Sequence, residues 1–243
     1  LTGNLRLAMT KPGLFLESQG AERRVGGGKR PARTIKGERA GRIVRTVLSA
    51  PLPIGVTDLA QLAGTDPGYT SRVVALLSAE ALIERAARGP VTAIDKVRLV
   101  RLWAEDAPLA GRGRVGTFLE PRGLGVLMDR LRDSGVRYAI TGSFAAQRWA
   151  PVAAPRLAQI YLRGGLEKSA EELGLRPASE GANVQLIRPK DLTIVDQAEK
   201  GEDGLCYARP LQVVLDLLTS PGRGPAEGEE LLRWMSERPD AWG

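Results

Sequence analysis

The sequence predicts an α+β chain in which a helical unit precedes a sheet covered by helices, and three observations carry that reading. Residues 37–106 place apolar side chains at helical spacing around one tight glycine turn, then change to two short extended runs. Residues 117–243 interleave amphipathic stretches with short apolar strands. Hydrophobic residues make up 43% of the 243 and charged residues 26%, a globular composition able to bury a core in one large or two small domains. Residues 1–36 stand apart as a short hairpin and a basic linker.

The residue inventory removes much of enzymology. With no histidine there is no histidine general base, no Ser-His-Asp triad and no ordinary zinc or non-haem iron centre. Cys206 alone makes neither an internal disulfide nor a cysteine metal site. No apolar run approaches the roughly 18 residues of a membrane span, and Leu1 to Ala8 lacks the pattern of a signal peptide. The expectation is a cytoplasmic, nucleoid-associated protein with no cofactor, metal or membrane partner. The net charge of +7 is unevenly spread: residues 1–50 carry +8, residues 51–100 are neutral and the remainder carries −1. A basic N-terminal portion on a neutral body is the footprint of nucleic-acid binding.

The elements follow in order. Leu5 to Met9 and Leu14 to Leu16, around Pro12-Gly13, read as a hairpin. Gly20 to Lys36 has no period and reads as a basic linker; within it Gly26-Gly27-Gly28-Lys29-Arg30 lacks the spacing of a phosphate loop. Ile43, Val44, Val47 and Leu48 mark a first helix ending near Ala50. Thr57 caps a second helix over Asp58 to Ala63. Ala60 and Gly64 fit a close approach of the second and third helices. Asp66 and Pro67 open that third helix, which runs to about Ala81. Leu82 to Arg85 and Val91 to Ile94 are paired strands, and Asp95 to Asp106 a linker helix. Helix, helix, glycine turn, helix and basic hairpin is the order of a winged helix-turn-helix. In that frame Lys36, Arg39 and Arg42 meet phosphates. Tyr69, Thr70, Ser71 and Arg72 read the major groove of double-stranded DNA, where arginine bonds guanine bidentately. Arg85 and Arg88 lie on the wing.

Ala107 to Gly116, rich in Pro, Gly and Arg, reads as the domain boundary. Beyond it come a helix over residues 121–134 and a strand from Val136 to Ile140. Thr141-Gly142-Ser143 turns into a short helix ending near Trp149, and a strand follows from Arg156 to Leu162. Glu167 to Leu173 is a helix, Val184 to Ile187 and Leu192 to Val195 are strands, and Pro210 to Leu218 and Ala226 to Met235 are closing helices. Helix, strand, Gly-Ser turn, helix, strand opens nucleotidyltransferase folds, in which the next strand supplies paired carboxylates for magnesium. Here Ser134 to Leu166 contains no Asp or Glu, and the strand reads Ala158-Gln159-Ile160-Tyr161. Glu171, Glu172 and Asp191 are the nearest acids and read as solvated. Cys206, without a histidine to activate it, reads as a small core residue, and Pro221 to Gly224 as a loop. No catalytic residue is expected.

Thr34-Ile35-Lys36-Gly37, Gly41 to Arg45, Ser71-Arg72-Val73, Val136 to Ser143, Ala182-Asn183-Val184 and Tyr207 to Leu217, followed by Pro221 to Gly224, resemble bacterial AbiEi-type antitoxins and related actinobacterial regulators. The resemblance runs from about Thr34 to Met235. It implies a winged helix-turn-helix joined to a degenerate, catalytically silent nucleotidyltransferase-like α/β domain. It also implies repression of the protein's own operon at inverted repeats, in functional opposition to a nucleotidyltransferase toxin that it need not touch. Two alternatives stand beside it: a nucleotidyltransferase with displaced metal ligands, and a ligand-sensing transcription factor without a toxin.

Overall fold

The structure, a computed structural model, describes residues 5–10, 13–18, 35–106, 111 and 113–242. Strands β1 (Leu5–Thr10) and β2 (Gly13–Ser18) pair antiparallel, Leu5 opposite Ser18, as the Pro-Gly signal predicts. Most of the basic linker, including Gly26 to Arg30, lies outside the described residues.

The helical unit follows the apolar spacing closely. Helix α1 (Glu38–Ser49) buries Ile43, Val44, Val47 and Leu48 on one face. Helix α2 (Val56–Leu62) starts from Gly55 with no side-chain cap, so Thr57 lies inside the first turn rather than capping it. Helix α3 (Pro67–Ala79) opens as expected: the Asp66 carboxylate accepts from the Tyr69 amide at 2.8 Å, and Pro67 occupies the first turn, where its missing N–H costs nothing. Between α2 and α3 the Thr65 amide reaches the Ala60 carbonyl at 2.9 Å and the Gly64 amide the Gln61 carbonyl at 3.2 Å. This double closure needs a left-handed residue, and Gly64 has φ +59°. Gly64 is therefore required by its backbone and not by helix contact, since a Cβ there would meet only the Arg42 side chain at 3.5 Å. Strands β3 (Ile83–Arg85) and β4 (Val91–Ile94) form an antiparallel hairpin, and Ile54 bridges to Val91 on its other edge. Asp95 accepts from the Arg98 amide at 3.0 Å and starts α4 (Lys96–Asp106).

The second unit begins earlier than its composition indicates. Gly113–Leu119, whose first four residues fall in the stretch read as a break, is strand β5, paired from Gly113 to Phe118 with β9 (Val184–Pro189). Its glycines mark close approach: a Cβ on Gly113 would lie 2.1 Å from the Arg188 carbonyl oxygen, and one on Gly116 would lie 2.8 Å from the Phe118 ring. Helix α5 (Leu124–Asp133), β6 (Tyr138–Thr141), α6 (Gly142–Ala146), β7 (Ala158–Leu162) and α7 (Leu166–Glu172) then match the expected order. The run Leu192 to Val195 is not a strand. Asp191 accepts from both the amide and the hydroxyl of Thr193, and this local pair turns the β-branched run into α8 (Thr193–Asp196). Short β8 (Arg176–Pro177), β10 (Glu199–Lys200) and β11 (Cys206–Tyr207) complete the sheet. Its order is β10-β11-β6-β7-β9-β5-β8, with β11 parallel to β6 and β7 parallel to β9, which makes it mixed. Cys206 packs half-buried against the core, as expected.

Helices α9 (Pro210–Leu218) and α10 (Gly224–Ser236) join the two units. Arg101 of α4 holds Glu229 of α10 through two nitrogens, at 3.1 and 2.7 Å, and Arg45 of α1 donates to Gln212 of α9 at 3.0 Å. Lys96 stands 4.9 Å above the Trp242 ring, and burial there lowers its ammonium pKa.

Candidate nucleic-acid interface

The outward side of α3 follows from helical spacing. Val73, Val74 and Leu77 point into the core, which turns Gly68, Ser71, Arg72 and Ala75 away from it. This strip is small-sided except for Arg72, whose guanidinium lies 5.4 Å from the centre of the Tyr69 ring. Tyr69 is half-buried with its ring packed on the core, and it positions Arg72 by a cation–π contact. Thr70 corrects the sequence reading. It is fully buried, its hydroxyl bonded to Thr65 at 2.8 Å and to the Asp66 carbonyl at 3.1 Å, and it fastens the α2–α3 turn instead of facing a groove.

The remaining cations divide by partner. Arg88 stands exposed at the β3–β4 tip with φ +58°, and Arg85 is half-exposed on β3. Arg39 is exposed on α1. Among the described residues, none of Arg39, Arg72, Arg85 and Arg88 has a carboxylate partner. Arg42 pairs with Glu38 at 3.8 Å and crosses to the α2–α3 turn beside Gly64, with its Nε buried and lacking a hydrogen-bond acceptor. Lys36 sits 3.9 Å from Asp106 and, with Lys190, lines the cleft between the two units. The structure thus gathers Ser71 and Arg72 on one helix face and sets Lys36 at the junction of the units.

The second unit carries an inward-facing constellation. Gly142 has φ +65°, and a Cβ on it would lie 2.1 Å from Gln159 Oε1, so the Gly-Ser turn admits only glycine there. On β7, Gln159 and Tyr161 share one face, as the strand period requires. Gln159 donates to Gln185 of β9 at 2.9 Å. Tyr161 donates to Asp216 of α9 at 2.8 Å, joined there by Thr141 at 2.6 Å and the Gln212 amide at 2.8 Å. Asp216 is fully buried. Sequence reasoning missed it, although Gln212 and Asp216 are the two polar residues of the otherwise apolar α9 and, four apart, share one face. It also missed buried Glu120, which holds Arg130 at 2.7 Å, and buried Glu227. Glu171 and Glu172 are exposed on α7 and Asp191 is engaged by Thr193. Among the described residues no three His, Cys, Asp or Glu side chains stand together as a metal site, and no helix is long and apolar enough to cross a membrane.

No family model, no curated protein and no solved structure matches the chain.

Proposed function

We propose that the protein is a sequence-specific double-stranded DNA-binding transcriptional regulator, with residues 37–106 acting as a winged helix-turn-helix. The observation that carries this reading is the outward strip of α3. Its side chains are small enough to enter a major groove, and its one long side chain is an arginine with no carboxylate partner among the described residues, steadied on Tyr69. In this reading Ser71 and Arg72 contact base edges, Arg88 and Arg85 reach the flanking backbone from the hairpin, and Arg39 and Arg42 meet phosphates. A winged module of this size reads a half-site, so inverted repeats read by two copies are the expected operator.

The sheet unit is proposed as a degenerate nucleotidyltransferase-like domain that performs no transfer. Supporting this, Gln159 and Tyr161 occupy the strand face where paired carboxylates would stand, and an amide and a phenol are poor ligands for Mg²⁺. The oxygens of Asp216 are already engaged by three donors from within the fold. The biological setting we infer is autorepression of an antitoxin-type operon on the bacterial nucleoid, opposing a nucleotidyltransferase toxin in function without contacting it.

An electrophoretic shift with the DNA upstream of the protein's own gene, against excess unrelated duplex, tests the main reading. Specific retardation is expected, and equal affinity for both DNAs would sink it. Binding should weaken with salt by a log-log slope of about −0.9 per phosphate neutralised. Removing residues 1–33, which carry much of the N-terminal positive charge, should make that slope shallower. For the silent domain, incubation with labelled nucleoside triphosphates, Mg²⁺ or Mn²⁺ and RNA or protein acceptors should leave no labelled product. Transfer abolished by Ser143→Ala would establish an enzyme instead.

A further inference from the structure

Where α9 turns into α10 the sheet unit holds a cleft of about 420 Å³, within the range of small-molecule sites. Ser143, Arg156, Gln159, Gln185, Arg223 and Glu227 line it. Glu227 is 3% exposed, and among the described residues its Oε1 has no hydrogen-bond donor. The facing cation, Arg223 Nε, stands 3.9 Å away, beyond hydrogen-bond reach. A buried carboxylate oxygen without a donor destabilises the empty fold, and a donor arriving from outside removes that penalty. Across the cleft, Arg156 is exposed with no carboxylate partner among the described residues. Among the described residues the Arg223 guanidinium, its side chain 58% exposed, donates only to the Ala154 carbonyl, at 3.4 Å. The cleft therefore offers anion-binding groups and, beside them, a buried acceptor.

We propose that this cleft binds a small organic anion that also carries N–H donors, and that its occupancy regulates the DNA-binding unit. The anionic group lies against Arg156 and Arg223, and the N–H group meets Glu227 Oε1. A nucleoside monophosphate and a free amino acid with a cationic side chain both supply this pair of groups. The same two helices that wall the cleft hold the DNA-binding unit. Glu227 faces the cleft, and two residues along α10 Glu229 grips Arg101 of α4. Thr219 and Ser220, in the cleft wall, donate to the Asp216 carbonyl at the end of α9, whose Gln212 accepts from Arg45 of α1. A ligand that draws Glu227 inward displaces the helix that positions α4. The regulatory half of the proposal rests on the DNA-binding reading, whereas the binding half does not.

Calorimetric titration of the full chain tests the binding half, with guanosine monophosphate and L-arginine as the two sources. Inorganic phosphate, guanosine, acetate and guanidinium serve as the separate halves of those molecules. One complete probe should bind at least about ten-fold more tightly than either of its halves. Glu227→Gln should weaken that binding by about ten-fold or more while the melting temperature stays level or rises, because the amide removes a buried charge without a donor. Arg223→Ala should weaken it as well and disturbs no core. Binding no better than that of the halves, unaltered affinity in both variants, or no binding of either probe up to about 10 mM overturns the site. With the binding probe present, affinity for the upstream DNA should change by about five-fold or more. Ligand binding with unchanged DNA affinity overturns the regulatory half. Absence of any DNA shift overturns the DNA-binding reading instead, and leaves the calorimetric result standing.

Discussion

Arg72 and Asp216 show two opposite treatments of charge within one chain. Arg72 stands at the solvent face of α3 over the Tyr69 ring, with no acid beside it among the described residues. Asp216 lies fully buried beneath the sheet, with Thr141, Tyr161 and Gln212 donating to it. A guanidinium left in water keeps its planar fork of donors for an incoming base or phosphate. A buried carboxylate whose lone pairs are occupied is part of the frame, and its chemistry ends there. The difference teaches where to look for function: among the described residues the helical unit buries no carboxylate, whereas the sheet unit takes three, Glu120, Asp216 and Glu227, into its interior. Glu227 is the exception in the second unit, buried like Asp216 yet lacking its donors.

Replacing Asp216 breaks the comparison most severely. Asp216→Ala strands two hydroxyls and an amide in the core, and a loss of about 3–5 kcal/mol is expected, read from urea unfolding. The change should be far smaller in Asp216→Asn, which keeps the shape and one carbonyl acceptor. Equal losses in the two variants would mean that the charge and the second acceptor oxygen carry the whole cost and that the cavity adds nothing. Neither variant should alter DNA affinity once the fraction folded is taken into account.

Arg72→Ala is the mirror experiment. It should leave the melting temperature nearly unchanged and lower affinity for the specific site by about 1–3 kcal/mol, with much less effect on unrelated duplex. An equal loss on both DNAs would reassign Arg72 from bases to phosphates. Undiminished binding by the folded variant would remove α3 from the interface.

The same contrast explains what was legible in the sequence. The helical unit was readable almost residue by residue, because its signals are local: the Asp66-Pro67 start, the glycine turn at Gly64 and the apolar spacing of α1. Thr70 escaped because a threonine in a first helical turn looks the same whether it faces a groove or the Thr65 hydroxyl. In the sheet unit β5 was hidden behind Gly113, whose reason is the Arg188 carbonyl on the distant strand β9, and Leu192 to Val195 by a β-branched run that Asp191 bends locally. The polar network was least visible. Asp216 is 55 residues from Tyr161 and 75 from Thr141, and periodicity within a segment cannot join them. The Gln212-Asp216 spacing in an apolar helix was the one local trace.

Arg88 sharpens the comparison from the other unit. A non-glycine residue with φ +58° at a hairpin tip is strained. Arg88→Gly should therefore stabilise the fold by about 1 kcal/mol in thermal unfolding, while weakening DNA binding through the lost cation. A gain in stability with undiminished DNA binding would remove the hairpin tip from the interface. A loss of stability would mean that the arginine side chain packs.

The smallest effect expected is a pH dependence set by Asp203 and Tyr207, whose side chains share a hydrogen bond of 2.6 Å. Burial pushes the Asp203 carboxyl up, but the Tyr207 hydroxyl, the Leu205 amide and the nearby Arg148 and Arg132 outweigh it, leaving the group below its ordinary value of 3.8. Burial, and then the Asp203 bond and charge, raise the Tyr207 phenol well above 10.0. A carboxyl lowered in the fold stabilises it above the unfolded value, and that contribution is lost as pH falls through the acid range. A phenol raised in the fold contributes fully below pH 10.0, and its contribution is lost as pH climbs beyond that. Tyr207→Phe removes the shared bond, so wild type should exceed the variant by about 1 kcal/mol between about pH 5 and 9. The gap should narrow below about pH 4 and above about pH 10. No gap at any pH would show that Tyr207 stabilises the sheet only by packing its ring, which phenylalanine keeps, and that its bond to Asp203 contributes nothing to the folded state.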